Sequence, residues 1–243
     1  MKYYYDLHIH SCLSPCGDRE STPDSIAGMG ELNSLDIMAL TDHNSCKNCP
    51  AFFSACERHG IVPVAGMELT TAEDIHIVCL FPTLESAMEF DSEVEKRRVF
   101  YKNRKDIFGE QLIVNENDEV VGEEENLLIN ATTLSLEEVP ALCEKYAGVC
   151  YPAHIDKQSN SIIAVLGAFP QTPRFNFAEL HSGDLRDDLS RVTHLPQNRF
   201  IVSSDAHYLW DIKEKTDYIE LPDGAESAQE VRERLFAYLR GAK

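Results

Sequence analysis

Near its start the 243-residue chain reads Tyr3-Tyr4-Tyr5-Asp6-Leu7-His8-Ile9-His10, and this stretch sets the pattern for the rest. Its aromatic and apolar residues favour a strand. Side chains two apart on a strand share a face, so His8 and His10 can reach one metal ion. Similar short runs alternate with helix-like stretches, which is typical of an α/β fold with a largely parallel sheet. The predicted strands span residues 3–10, 36–42, 61–68, 75–81, 148–154, 175–181 and 199–205.

Residues that can bind metal stand at the carboxyl ends of nearly all these strands. In a parallel barrel those ends meet at one face, where active sites are built. Imidazole together with carboxylate suits zinc, manganese or iron better than magnesium or calcium, which prefer oxygen ligands. We therefore predict one metal-binding basin that supports hydrolysis. The motifs are Asp6-Leu7-His8-Ile9-His10, Thr41-Asp42-His43, Gly66-Met67-Glu68, Pro152-Ala153-His154, Glu179-Leu180-His181 and Ser204-Asp205-Ala206-His207.

The composition indicates a globular protein with an acidic exterior. Lys and Arg number 22 against 41 Asp and Glu, a net charge of −19, and 43% of the residues are hydrophobic. Such a balance without a basic cluster argues against binding long nucleic acid or an anionic membrane. No apolar run approaches the ~20 residues of a membrane span. Eight irregularly spaced cysteines without a secretory leader indicate reduced thiols, and we expect a cytoplasmic protein.

One domain is expected over residues 1–243, with residues 86–130 as an insertion within it. In this insertion the pattern predicts a charged helix to about residue 107, followed by a small hairpin at 112–115 and 119–122. Such a segment can cover the basin as a lid. Helix starts are predicted at Thr22-Pro23, Ser135 and Ser227, where capping residues stand at the right spacing.

The motifs, in this order and spacing from Asp6 to His207, resemble those of the PHP (polymerase and histidinol phosphatase) family. The resemblance implies a distorted (β/α)7 barrel, here with a short helix-hairpin insertion. It also implies a cluster of two or three divalent metal ions, used mostly for phosphoester hydrolysis. The implied ligands are His8, His10, Glu68 and Asp205 for one metal, Glu68, His76 and His154 for a second, and His43 and His207 for a third.

The chain departs from the family pattern in Ser14-Pro15-Cys16-Gly17-Asp18, just after the first motif. Asp18 is the favoured remaining ligand of the third metal, and Cys16 is its alternative. A Cys16 thiolate would favour zinc or iron. A second alternative is a separate zinc or iron–sulfur cluster formed by Cys12, Cys16, Cys46 and Cys49, which their spacing permits.

The resemblance implies hydrolysis of a small phosphorylated metabolite or nucleotide, with a hydroxide held by the metal ions as the nucleophile. Lys157, three residues after His154, is a candidate contact for a substrate phosphate. His181 is a candidate phosphate contact or catalytic proton donor. Two other functions stay open, namely exonuclease-like hydrolysis of short oligonucleotides and a non-catalytic metal-binding regulatory module. The acidic balance favours a small phosphorylated partner over long nucleic acid.

Overall fold

The computed structural model describes residues 1–241 and shows a mixed α/β fold around a curled six-stranded sheet. Each of the seven predicted strand segments contains a strand, but the last strand, Tyr218–Glu220, lies outside all the predicted segments. The strands are β1 (Lys2–Ile9), β2 (Ile37–Leu40), β3 (Val62–Thr70), β4 (His76–Phe81), β5 (Leu112–Val114), β6 (Val120–Glu123), β7 (Val149–Pro152), β8 (Ala178–Leu180), β9 (Phe200–Val202) and β10 (Tyr218–Glu220). The helices are α1 (Pro23–Leu32), α2 (Cys49–His59), α3 (Leu84–Glu95), α4 (Lys105–Phe108), α5 (Glu138–Lys145), α6 (Ile162–Leu166), α7 (Arg186–Thr193) and α8 (Ala228–Leu239).

The main sheet has the order β10-β1-β2-β3-β4-β7, and β8 pairs with β9 separately. Only β1, β2 and β3 are parallel neighbours within it, because β4 runs antiparallel to both β3 and β7, and β10 antiparallel to β1. The β8–β9 pair lies between the ends of β1 and β7, where Ala206 bridges to Ile9 and the Ile155 N–H donates to the Glu179 carbonyl. Over residues 1–241, the result is a curled half-barrel rather than the parallel seven-stranded barrel that the alternation predicts.

The antiparallel direction of β4 follows from its short connection to β3. Only residues 71–75 separate Thr70 from His76, whereas a parallel crossover needs about a dozen residues or more. The turn closes where the Thr71 N–H donates to the Ile75 carbonyl, and Asp74 has a left-handed φ of 67°. His76 therefore lies opposite Thr70 and reaches the basin from the amino end of its strand, not from the carboxyl end.

Both faces of the sheet are buried. On β2, Ile37 packs in a core with Leu235 and Phe236 of α8, whereas its neighbour Met38 packs in a second core with Phe52 of α2. Alternate side chains of a strand point to opposite faces, so a strand covered on both sides reads as a continuous apolar run. No helix in the described residues is long and apolar enough to cross a membrane.

Helix starts follow the predicted caps at α1 and α8, where the Thr22 and Ser227 hydroxyls accept backbone N–H bonds. Helix α5 begins only at Glu138, because the Ser135 hydroxyl and amide bind the Glu138 carboxylate instead. The charged helix predicted to about residue 107 is also wrong, since α3 ends at Glu95. Beyond it the chain turns away to form a backbone bridge between Arg98 and Thr132.

Candidate metal centre

The predicted metal ligands other than Asp18 converge at one end of the curled sheet. These residues are far apart in sequence. They converge because the carboxyl ends of the parallel strands and the amino end of β4 meet there. The converging residues are His8 and His10 of β1, His43 after β2, Glu68 of β3, His76 of β4, His154 after β7, and Asp205 and His207 after β9.

The Glu68 carboxylate occupies the middle of this group. Its Oε1 lies 2.8 Å from His76 Nδ1 and 3.0 Å from His154 Nε2. Its Oε2 lies 3.0 Å from His43 Nδ1. Because Glu68 is almost fully buried and both its oxygens face imidazoles, it is placed to bridge two metal ions.

The rings of His8 and His10 are each held by a hydrogen bond at Nδ1, the ring nitrogen that faces away from the centre. His8 Nδ1 lies 2.8 Å from Glu179 Oε1, and because a carboxylate only accepts, the imidazole donates. His10 Nδ1 lies 3.0 Å from Ser14 Oγ, whose own hydrogen goes to Asp42 at 2.7 Å. In a neutral ring the proton on Nδ1 leaves Nε2 bare. Each Nε2 atom is then left with a lone pair that could bind a metal ion.

These bare nitrogens face each other and a carboxylate, which is unfavourable unless a cation lies between them. His8 Nε2 and His10 Nε2 are 3.1 Å apart, and Asp205 Oδ1 is 3.3 Å and 3.1 Å from them respectively. His43 Nδ1 and Glu68 Oε2 are buried and make no hydrogen bond, although they lie 3.0 Å apart. The donor set therefore fits divalent metal ions.

The pKa values of the centre are set by burial and by the charges of the neighbouring side chains. Burial opposes protonation of His8 and His10, but the neighbouring carboxylates outweigh it, raising the pKa of His10 to about 9 and that of His8 well above its usual value. Burial instead lowers the pKa of His43 to about 4 and that of His207 to about 3. The pKa of Glu68 falls well below normal, because nearby histidines outweigh its burial. The carboxylates thus favour positive charge at His8 and His10, whereas the low pKa values of His43 and His207 keep those two rings neutral at neutral pH.

The candidate ligands form three groups, and within each group all the ligand atoms lie within 4.8 Å of one another. The first, His8, His10, Glu68 and Asp205, is the set that the family resemblance implies for one metal. The other two groups share members with it. They are His43, Glu68 and His76, and His10, His43 and His207.

Asp18 and Cys16 lie outside all three groups, which were drawn from the described residues. The Asp18 carboxylate accepts the Glu20 N–H at 2.7 Å and so closes its own turn, while its backbone N–H donates to the His207 carbonyl. Cys16 is exposed at the edge of the basin. In this structure neither side chain joins the convergent histidines and carboxylates, and the third metal's remaining ligand stays a prediction.

The four thiols proposed for a separate cluster are likewise not brought together in the described part of the chain. Cys46 and Cys49 are buried and point to the Gly66 carbonyl at 3.2 Å and 3.6 Å. Cys12 points to the Leu112 carbonyl. Cys12, Cys46 and Cys49 are therefore buried packing residues.

A cavity of about 770 Å³ opens beside the centre and is lined by Asp205, His207, Lys157 and His181. Lys157 Nζ lies 2.6 Å from Asp205 Oδ2. His181 is exposed on the cavity wall and is held by its backbone N–H, which donates to Asp156 at 2.8 Å. Both candidate substrate contacts therefore face the same open space.

Glu179, Asp42 and Ser14 are functional positions that we did not predict as site residues from the sequence. Glu179 is fully buried in β8 between Ala178 and Leu180. A carboxylate inside such an apolar run requires a buried partner, and this was the available signal. Asp42 stands beside His43 in a motif, but only the folded chain shows that it acts through Ser14 on His10.

Fold and centre together define a mixed α/β protein in which buried histidines and carboxylates form a cluster that could bind metal ions. A family model for the PHP domain matches residues 6–157, more than half of the chain, and the chain belongs to this family. Its members are metal-dependent hydrolases and phosphoesterases. An error-prone DNA polymerase of Symbiobacterium thermophilum is 32% identical over 77 residues, which are 32% of this chain and 7% of the polymerase.

Among solved structures, the lesion-specific endonuclease PfuEndoQ from Pyrococcus furiosus has a TM-score of 0.66 at 19% identity. Endonuclease Q in complex with a 27-mer duplex substrate has a TM-score of 0.64 at 18% identity. Both alignments cover 100% of this chain and 57% of the endonuclease chain. At these identities the likeness shows the fold alone, and this chain spans little more than half of each endonuclease.

The expectation of a small phosphorylated partner, with long nucleic acid excluded, is contradicted by this comparison. The same fold in Endonuclease Q carries a duplex substrate with an abasic lesion at its active site. Net charge misled because it describes the whole surface, whereas bound metal ions are the largest local charges in such a site.

Proposed function

We propose that this chain is a metal-dependent phosphodiesterase that cleaves a nucleic acid at the centre around Glu68. The observation that carries the proposal is the convergence of the buried His8 and His10 Nε2 atoms on the carboxylates of Asp205 and Glu68. Membership of the PHP family supports hydrolysis, and the likeness to Endonuclease Q supports nucleic acid as the substrate class.

The proposed ligands follow the groups that the family resemblance implies. Divalent ions bound there would supply the Lewis-acid charge that activates water and stabilises phosphate oxygens. His8, His10, Glu68 and Asp205 would hold one ion. Glu68, His76 and His154 would hold a second, and His43 and His207 a third.

The side chains on the cavity wall receive the substrate. Lys157 places a flexible ammonium group 2.6 Å from Asp205, so it can donate to a phosphate oxygen at the edge of the centre. The His181 ring is exposed on the same wall. It can hold a proton for the leaving oxygen of the cut phosphodiester.

The test compares the wild-type chain with Asp205→Asn after reconstitution with manganese, zinc or iron. Substrates are a single-stranded oligonucleotide, a matched duplex, the same duplex with one abasic site, and p-nitrophenyl phosphate as a monoester. We expect cleavage inside the oligonucleotides by the wild type and its loss in Asp205→Asn, with lower metal content. Asp188→Asn, an exposed carboxylate paired to Arg191, is the matched control. No oligonucleotide cleavage with any metal, or cleavage that survives in Asp205→Asn, would overturn the proposal.

A further inference from the structure

Two aromatic rings are stacked on the surface immediately after the metal-centre motif. Tyr208 and Trp210 have ring centroids 4.9 Å apart and planes inclined by only 15°. They are 40% and 72% exposed. Trp210 lies in the short 3₁₀ helix Leu209–Asp211.

The turn that carries the rings is held by other residues. Ile212 is 4% exposed, and Leu209 packs against the same hydrophobic core. The Asn33 side chain donates to the Ile212 carbonyl at 2.9 Å, and the Asp211 N–H donates to the Tyr208 carbonyl. A tryptophan usually buries most of its surface. Because the turn is anchored without it, Trp210 is left free for a ligand.

Tyr208 stands on the ridge between two openings. On one side is the cavity that contains Asp205 and Lys157. On the other side is a groove of about 460 Å³ whose lining includes Arg19 and Lys105. A chain of phosphates that crosses this ridge at Tyr208 would pass from the metal centre to Arg19 and Lys105, which pair with Glu110 and Glu123 in the free protein.

We infer that Tyr208 and Trp210 form a stacking platform for an unpaired nucleobase next to the phosphodiester that is cut. The inference rests on the proposed function, whose substrate it narrows to nucleic acid with an unpaired or displaced base near the scissile bond. Every base presents a π-face, so an exposed aromatic ring binds single strands with little sequence preference. Continuity of Tyr208 with the metal-centre cavity favours this occupant over another protein chain.

Trp210 is the only tryptophan in the chain, so its fluorescence reports on this platform alone. We would mix the metal-loaded protein with a short oligothymidylate in a stopped-flow instrument and follow cleavage separately on gels. A base-free sugar-phosphate strand of equal length and charge is the reference ligand. We expect the oligothymidylate to quench the emission and the base-free strand to leave it nearly unchanged.

Variants test the same platform by anisotropy of a labelled oligothymidylate. Trp210→Ala should weaken binding about tenfold, and Trp210→Phe should restore most of it, because stacking on one ring contributes on this scale. Phe100→Ala is the control, since Phe100 is 69% exposed but lines a different surface depression with Lys47 and Glu95. Its binding should equal that of the wild type.

The outcomes separate this inference from the proposed function. Equal quenching by both strands, or oligonucleotide cleavage without quenching and with normal binding by Trp210→Ala, overturns the platform while hydrolysis stands. Base-dependent quenching, together with no cleavage of oligothymidylate or of any oligonucleotide in the test of the proposed function, supports base binding at the platform and overturns hydrolysis. A platform that serves another protein chain would not respond to oligothymidylate, which also overturns the inference.

Discussion

At the scale of single residues, the metal centre depends on groups that do not face the metal. Glu179 orients His8, and Asp42 orients His10 through the Ser14 hydroxyl. Such partners select the tautomer and raise the basicity of the ligand nitrogen. Composition and spacing identify ligand types well, but they do not show which buried carboxylate lies behind which ring.

Glu179→Gln should weaken metal binding about tenfold, because the amide keeps an acceptor for His8 but loses the negative charge behind its ring. Glu179 is fully buried, so the measurement needs a folded variant, checked by circular dichroism. Calorimetric titration with zinc or manganese gives the affinity. Glu220→Gln, in the exposed part of β10, is the matched control and should bind as the wild type does. Unchanged affinity in folded Glu179→Gln would contradict this account of His8.

Lys157→Gln should lower kcat/KM for phosphodiester cleavage about tenfold or more, because the cavity wall loses a charged donor for phosphate. Metal content should not fall, since Lys157 competes with metal for Asp205 rather than binding it. Steady-state kinetics and elemental analysis measure the two effects. Lys96→Gln removes an exposed lysine of the same charge at the C-cap of α3 and serves as control. A loss of metal in Lys157→Gln would instead give the lysine a structural role.

At the scale of elements, apolar runs located every strand except β10, and the fold brings the polar residues at their ends close together. Strand direction was missed for β4, because a run of apolar residues carries no direction. The length of the connection between β3 and β4 determines the direction of β4, and residues 71–75 are too few for a parallel crossover. The end of α3 was also missed, since a charged helical pattern continues past Glu95. Arg98, nearly buried against Glu124, depends on tertiary contacts that local sequence does not contain.

Glu124 joins the β5–β6 hairpin to the rest of the molecule, because its carboxylate pairs with both Lys47 and Arg98. Glu124→Gln should therefore lower the free energy of unfolding by about 2 kcal/mol at neutral pH, less than for a fully buried pair because Lys47 is partly exposed. Denaturant titration measures this value. Glu116→Gln, on the exposed turn of the same hairpin, is expected to change it little.

The effect of Glu124→Gln should also depend on pH. Burial raises the pKa of Glu124, but Lys47 and the Asn126 N–H outweigh it and lower the pKa below the ordinary 4.5. A depressed folded pKa means that the stabilisation is present above pH 4.5 and is lost as the pH falls through the folded value. The difference between wild type and variant should shrink below pH 4.5. A constant difference down to strongly acidic pH would show that packing, not charge, is responsible.

At the scale of the whole molecule, the net charge of −19 describes the exterior rather than the centre. The three groups of ligand atoms contain only two carboxylates, Glu68 and Asp205. Most of the 41 acidic residues therefore lie elsewhere. Composition gives only the net balance of charge, and it could not show how cations bound in a cavity would change the local field.

This separation of exterior and centre predicts an unusual salt dependence for nucleic-acid binding. Each phosphate neutralised by a protein cation contributes about −0.9 to the slope of log K against log salt. The path across Tyr208 offers few such cations, chiefly Lys157, Arg19 and Lys105, and salt also screens repulsion from the acidic exterior. We therefore expect a shallow slope of about −1 to −3, together with loss of binding when a chelator removes the metal. Anisotropy of a labelled duplex with one abasic site, titrated at several salt concentrations, measures both. A slope steeper than about −6, or binding that survives chelation, would mean that nucleic acid is held on another surface and not at the metal centre.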